Sequence, residues 1–223
     1  MRLPQAPFDR ANELAFLKEL LTQLSIDCVL DVGANRGQFA RELRAIGYRG
    51  QIVSFEPISS EFLVMKKHFQ DDSSWRGYQI ALGSSASSMS VTIPSLTVMS
   101  SLLESIVPEK DARQEVVEVR RLDSILPSLL KDSGLSRVFL KMDTQGYDLE
   151  VFRGAAECMA NIQGIQSELS IQPLYKNMPH YLEVLEVYEA AGFDLYNLSV
   201  VNRIDNGGLL ELNCFMRRGA MDG

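Results

Sequence analysis

The stretch Asp31-Val32-Gly33-Ala34-Asn35-Arg36-Gly37 runs from an acid at the end of an apolar run, through two glycines, into a helical pattern. A second apolar run, residues 51–55, ends in Glu56. Strand, glycine loop, helix, strand and acid, in that order, make a nucleoside-binding half-site at the carboxyl edge of a parallel sheet. Gly33 and Gly37 let the backbone pass close to a ligand, with Asn35 between them, and N–H groups at the start of the helix favour an anion. A carboxylate at position 56 can accept two hydrogen bonds from ribose hydroxyls. The glycine pattern is D-x-G-x-x-x-G. A dinucleotide site wants G-x-G-x-x-G, packed to admit a pyrophosphate, so a nicotinamide cofactor is disfavoured.

A second group of polar residues falls at later strand ends. Asp143 follows the apolar run 138–142, and Glu168 closes the run 164–169. Two carboxylates side by side can share a proton, which raises one of them into the range of a general base. They can also hold Mg²⁺, but no dense acid cluster accompanies them, so no metal ligand is assigned. Lys141 stands at alternate spacing to Asp143 and shares its face, so an ion pair is a structural alternative for both. His180 follows the loop 175–179 and is a natural base for a hydroxyl at neutral pH, or else a helix cap. Tyr175, Ser100 and Ser101 are candidate substrate contacts. Trp75 reads as core edge and His68 as a surface residue.

These residues need a scaffold that brings strand ends together. Apolar positions at helical spacing in 13–24 predict a lead-in helix within residues 1–26. Beyond it, strands are expected at 29–32, 52–55, 78–82 and 138–142, with a fifth at 164–169. Helices are expected at 38–46, 59–69, 148–160 and 179–191. Residues 193–201 and 209–216 read as a closing antiparallel pair linked through Asn206-Gly207-Gly208. Residues 95–110 have no period and suit a mobile, substrate-facing loop. The alternation predicts an α/β, doubly wound, mostly parallel sheet with an antiparallel end, in one domain over residues 1–223.

Composition narrows the partners. The chain has 223 residues, 46% apolar and 23% charged, with a net charge of −7. No basic stripe is present, which argues against nucleic acid. Three widely spaced cysteines without a C-x-x-C pair argue against a disulfide framework and point to a cytoplasmic setting. The first residues lack the apolar core of a signal peptide, and no apolar run is long enough to span a membrane.

Several short motifs occur in a fixed order: Asp31-Val32-Gly33-Ala34-Asn35-Arg36-Gly37, Phe55-Glu56-Pro57, Ala81-Leu82-Gly83, Leu122-Asp123-Ser124, and Leu140-Lys141-Met142-Asp143-Thr144-Gln145-Gly146 followed by Leu149-Glu150-Val151 and Gly154-Ala155. Over roughly residues 29–215 this series resembles the FkbM family of class I methyltransferases, which use S-adenosylmethionine (SAM). The resemblance implies a Rossmann-like fold, SAM as methyl donor, and transfer to a hydroxyl of a small molecule such as a sugar or other secondary metabolite. It implies that Asp31 orders the loop and reaches the methionine amine, and that Ala81 and Leu82 flank the adenine. Asp143 is expected to steer the methionine end or act as base, with Glu168 and His180 as further catalytic candidates. Gln145 stands where many members carry glutamate, and it joins Ser101 and Tyr175 as a candidate substrate contact. An N-methyltransferase and a non-catalytic SAM-binding module are the alternatives.

Overall fold

The computed structural model describes residues 7–94, 97–106 and 111–219. The chain begins with α1 (Pro7–Gln23), β1 (Cys28–Val32), α2 (Gln38–Ala45), β2 (Gln51–Phe55) and α3 (Ser59–His68). Short strands β3 (Trp75–Tyr78) and β4 (Ala81–Leu82) precede β5 (Ser87–Ile93) and β6 (Arg113–Arg120). Then come α4 (Leu126–Ser133), β7 (Val138–Met142), α5 (Asp148–Arg153), β8 (Ile162–Ser170), α6 (Tyr181–Ala190), β9 (Phe193–Arg203) and β10 (Leu209–Arg218).

The main sheet has the order β3-β2-β1-β7-β8-β10-β9. In it β3, β2, β1, β7 and β8 run parallel, and β10 pairs antiparallel with both β8 and β9. Every residue of β1 and β7 is buried, as expected of central strands covered on both faces. The alternation of strand side chains sorts them into two cores. Val29, Ile52, Phe139 and Phe215 pack with Leu17, Leu20, Leu43 and Met65 from α1 to α3. Leu30, Val32, Leu140 and Met142 pack with Leu126, Phe152 and Tyr188 from α4 to α6. Truncating one of these, for example Leu43→Ala, removes transfer free energy and leaves a cavity, a loss of about 2–5 kcal/mol.

Between β1 and β7 the strand order reverses. At such a switch point two loops diverge and leave a crevice at the carboxyl ends of the strands. Here those loops follow β1 and β7, which brings Gly33 beside Asp143.

Two expected elements are divided. The run 78–82 is split between β3, in the main sheet, and β4, which joins β6 and β5 in a separate three-stranded sheet. The helix expected over 148–160 is α5 followed by a 3₁₀ turn, Ala156–Asn161. Of the loop expected over 95–110, residues 95–96 and 107–110 lie outside the described residues, as do residues 1–6 of the lead-in. The rest of that loop is pinned by backbone bridges from Thr92 to Ser101 and from Ser105 to Tyr175. No helix among the described residues is long and apolar enough to cross a membrane.

Candidate functional site

A cavity of about 380 Å³ opens at the carboxyl ends of β1, β2 and β7, within the range of small-molecule sites. Its first wall is the loop after β1. Gly33, Asn35 and Gly37 have φ of +74°, +48° and +78°, the left-handed region that glycine enters freely. A Cβ on Gly33 would also overlap the backbone oxygen of Asp143, so glycine is demanded by both dihedral and space. The N–H groups of Gly33 and Ala34 each donate to the Phe55 carbonyl at 3.1 Å, tying the loop to the end of β2.

Glu56 is the next wall. It is 3% exposed, and its Oε2 accepts from the Asn35 N–H at 2.8 Å while Oε1 accepts from the Ile58 N–H at 2.8 Å. Burial pushes its carboxyl up to about 7, against the opposing pull of the two N–H donors. Each oxygen keeps a lone pair for another donor. Ala81 and Leu82 line the cavity with Ile80, Val91 and Tyr147, an apolar slot beyond Glu56.

Asp31 is fully buried beneath the loop and does not line the cavity. It receives the Lys141 ammonium at 3.0 Å, and Asp143 Oδ2 lies 3.4 Å from the same nitrogen. Burial alone would lower the Lys141 pKa; the two carboxylates outweigh it and hold the ammonium above its ordinary range. The Phe39 ring completes its cage at 5.4 Å. Gly37 also stands back from the cavity, as the N-cap of α2 against Phe69 and Met65.

Asp143 and Glu168 both reach the cavity. In place of a proton shared between them, the Gln145 amide sits at both. Its Nε2 donates to Glu168 Oε2 at 2.9 Å and to Asp143 Oδ1 at 3.3 Å. The Gln145 Oε1 accepts from the Tyr175 hydroxyl at 2.9 Å, which also lies 3.1 Å from the Met99 carbonyl. Ser101 donates to the Gln145 backbone carbonyl at 2.8 Å. Gln145, Ser101 and Tyr175 therefore meet one another behind the cavity wall, while Thr97, Ser100 and Leu102 of the same loop line it. Among the described residues no group of three His, Cys, Asp or Glu side chains converges to hold a metal.

His180 stands at the N-cap of α6, where its Nδ1 accepts from the Leu182 N–H at 3.3 Å, and it does not line the cavity. Trp75 stacks on Phe69 with ring centroids 5.0 Å apart, and His68 lies on the surface against the Arg36 carbonyl.

Other residues emerge only from the fold. Asp148, 4% exposed, accepts from the Thr144 N–H at 2.8 Å, the Ser167 hydroxyl at 2.8 Å and the Glu168 N–H at 3.1 Å. It thereby sets the turn that carries Asp143 and the strand end that carries Glu168. Arg10, Glu42, Gln166 and Asn213 line the far end of the cavity. The glycine of Ala81-Leu82-Gly83 meets that of Gly154-Ala155: a Cβ on Gly154 would overlap the Gly83 carbonyl oxygen. The Asp123 N–H donates to the Gly154 carbonyl at 3.1 Å, so three of the motifs form one packing cluster away from the chemistry.

The sequence profile of the methyltransferase FkbM domain matches residues 31–195. No curated protein matches the chain. Among solved structures, the putative RNA methyltransferase PH1948 from Pyrococcus horikoshii superposes with a TM-score of 0.50 at 12% identity, covering 97% of this chain and 88% of that one. Magnesium protoporphyrin IX methyltransferase from Synechocystis PCC 6803, solved with bound SAM, gives 0.50 at 8% identity, covering 96% and 86%. The methyltransferase domain of bacterial CtHen1-C gives 0.51 at 10% identity, covering 95% and 100%. At these identities the likeness shows the fold.

Proposed function

Because the chain belongs to the FkbM family of methyltransferase domains, we propose that it transfers a methyl group from SAM to a hydroxyl of a small molecule. The observation that carries this reading is Glu56: a buried carboxylate at a strand end, in the cavity wall, with both oxygens already oriented by backbone N–H groups and one lone pair left on each. That arrangement suits two vicinal ribose hydroxyls. The apolar slot at Ala81 and Leu82 suits the adenine ring. The residues present therefore fit the nucleoside.

SAM supplies a methyl group already activated on a sulfonium, so the protein must align an acceptor and remove one proton. Asp143 is the residue to which we assign that proton. Its side chain is 43% exposed in the cavity, and Lys141 and Gln145 hold it from behind. With SAM bound to supply the methyl group, an acceptor hydroxyl in the cavity would pass its proton to an Asp143 oxygen. Glu168, held on the same Gln145 amide, orients the acceptor. Lys141 and Asp31 position Asp143 without touching the reacting atoms.

A small molecule is favoured over a polyanion by the carboxylates of Glu42, Asp143 and Glu168 in the cavity wall and by the net charge of −7. Incubation with methyl-labelled SAM and a small-molecule extract tests the reading. Label is expected in an ether product, and its incorporation is expected to slow sharply in Asp143→Asn. SAM binding without any transfer would support the non-catalytic module instead.

A further inference from the structure

Residues 97–106 lie as a strap along the cavity, and their hydrogen bonds join its two ends. At one end the Thr97 hydroxyl accepts from the Asn35 side-chain amide at 3.2 Å and reaches the Glu61 carboxylate. Asn35 is also the residue whose backbone N–H holds Glu56 Oε2. At the other end Ser101 donates to the Gln145 carbonyl, and the Tyr175 hydroxyl stands between the Met99 carbonyl and Gln145 Oε1. Gln145 in turn puts its amide on Asp143 and Glu168. A continuous series of polar contacts therefore runs from Glu56 to the two carboxylates by way of the strap.

The strap is held by hydrogen bonds more than by packing. Its backbone pairs with Thr92 at Ser101, and with the loop after β8 at Glu104–Lys176 and Ile106–Leu174. Leu102 and Leu103 are half-buried and Ile106 is exposed. A segment with few buried apolar side chains and isolated backbone pairs opens at low cost. The position against the cavity also carries a cost of its own. The Ser100 hydroxyl is buried there without a partner, and opening returns it to water. The strap thus has two accessible positions, and a contact with Asn35 that only one of them makes. A ligand that fixes the Asn35 loop favours that position, and by linkage that position favours the ligand.

We propose that the strap is a gate coupled to the nucleoside end of the cavity: a nucleoside on Glu56 fixes the Asn35 loop, Thr97 draws the strap closed, and the closed strap holds the Gln145 amide on Asp143 and Glu168. The proposal rests on the methyltransferase reading above and adds a regulation of that site, in which the carboxylate pair is assembled once the methyl donor is bound. Ser101 and Tyr175 are then positioning residues, acting through Gln145.

The test uses the full chain with S-adenosylhomocysteine and follows amide hydrogen exchange by NMR. The reporters are the Ile106 and Lys176 amides, which bond across the junction of strap and β8 loop. Neither residue lines the cavity, so a ligand there does not shield them directly. The Ile204 amide, in the β9–β10 turn, is the control. Saturating ligand is expected to slow both reporters about fivefold or more, the low end of coupling between sites, and to leave Ile204 unchanged. Thr97→Val keeps the shape of the side chain and removes its tie to Asn35. In that variant the reporters are expected to lose their response, and S-adenosylhomocysteine affinity to fall by the factor that protection gained in the unaltered chain, since coupling is reciprocal. Ser101→Ala cuts the far latch, and the reporters are expected to exchange faster in the free protein. Ligand that binds without slowing the reporters overturns the gate, and this measurement needs no variant. A Thr97→Val chain that responds as the unaltered one overturns it too, as does a Ser101→Ala chain whose free exchange is unchanged. A chain that binds no S-adenosylhomocysteine overturns the methyltransferase reading beneath it.

Discussion

If Glu56 holds the ribose as proposed, its raised pKa should make SAM binding pH-dependent near neutrality. Burial raises the carboxyl from 4.5 to about 7 in the free protein. Ribose hydroxyls donate to the carboxylate, so the ligand prefers the ionised form. The sign follows from linkage: where the free protein carries the proton, binding must release it, and affinity rises with pH. With a pKa of about 7, roughly a tenth of Glu56 is ionised at pH 6 and roughly nine-tenths at pH 8. Affinity should therefore increase about tenfold across that interval, worth about 1.4 kcal/mol, and level off above it. Calorimetry at the two pH values, in buffers of different ionisation enthalpy, measures both the affinity and the released proton. About one proton should leave at pH 6 and almost none at pH 8. Glu56→Gln separates this group from any titration of the ligand itself. It should bind SAM more weakly at pH 8 and lose the part of the pH dependence that belongs to Glu56. A flat affinity from pH 6 to 8, or an identical pH profile in Glu56→Gln, would refute the reasoning.

Four further outcomes are expected. Lys141→Met removes the partner of two carboxylates, one of them wholly buried, and should destabilise the fold by about 3–5 kcal/mol in urea unfolding, with Asp31→Leu in the same chain restoring part of it. Asp143→Asn should keep SAM affinity and lower the transfer rate by about 10²-fold or more in single-turnover assays, because the proton acceptor is lost. Gln145→Glu places a third carboxylate between Asp143 and Glu168, which forces a proton onto the trio; the acid limb of the pH–rate profile should move to higher pH, and an unmoved limb would count against the bridging role. Gly154→Ala should cost about 1–3 kcal/mol in thermal unfolding without changing SAM affinity, since its Cβ meets the backbone of Gly83 and Val151.

The loop after β1 and Glu56, to which we assign the nucleoside, are legible in the sequence because their geometry is local. A glycine loop between an apolar strand and a helix has few conformations open to it, and Glu56 follows at the next strand end. The division of 78–82 was not legible: its apolar residues specify a strand, but pairing with β2 or with β6 is decided by which neighbour the tertiary fold presents. The same holds where Arg10 and Asn213 line the cavity. Helical spacing in α1 displays an apolar face through Leu17, Leu20 and Leu21, whereas Arg10 and Glu13 become part of a polar network only when α1 lies against β9 and β10. Gln145 is visible in the sequence as a departure from the family pattern. Its amide bridging Asp143 and Glu168 depends on a left-handed backbone at φ +53°, which residue type alone does not announce. His180 carries the residue type of a base, but the chain turns into α6 at that position and its ring nitrogen is used by the helix. Asp148 reads as a helix-start acid, and its bonds to Thr144, Ser167 and Glu168 appear only once β7 and β8 lie side by side.

The most direct measurement is a crystal structure of the chain with S-adenosylhomocysteine. The ribose hydroxyls should lie within hydrogen-bond distance of the Glu56 carboxylate, the adenine against Ala81 and Leu82, and the sulfur toward Asp143. A ligand bound elsewhere on the molecule, or a cavity that takes none at millimolar concentration, would contradict the assignment.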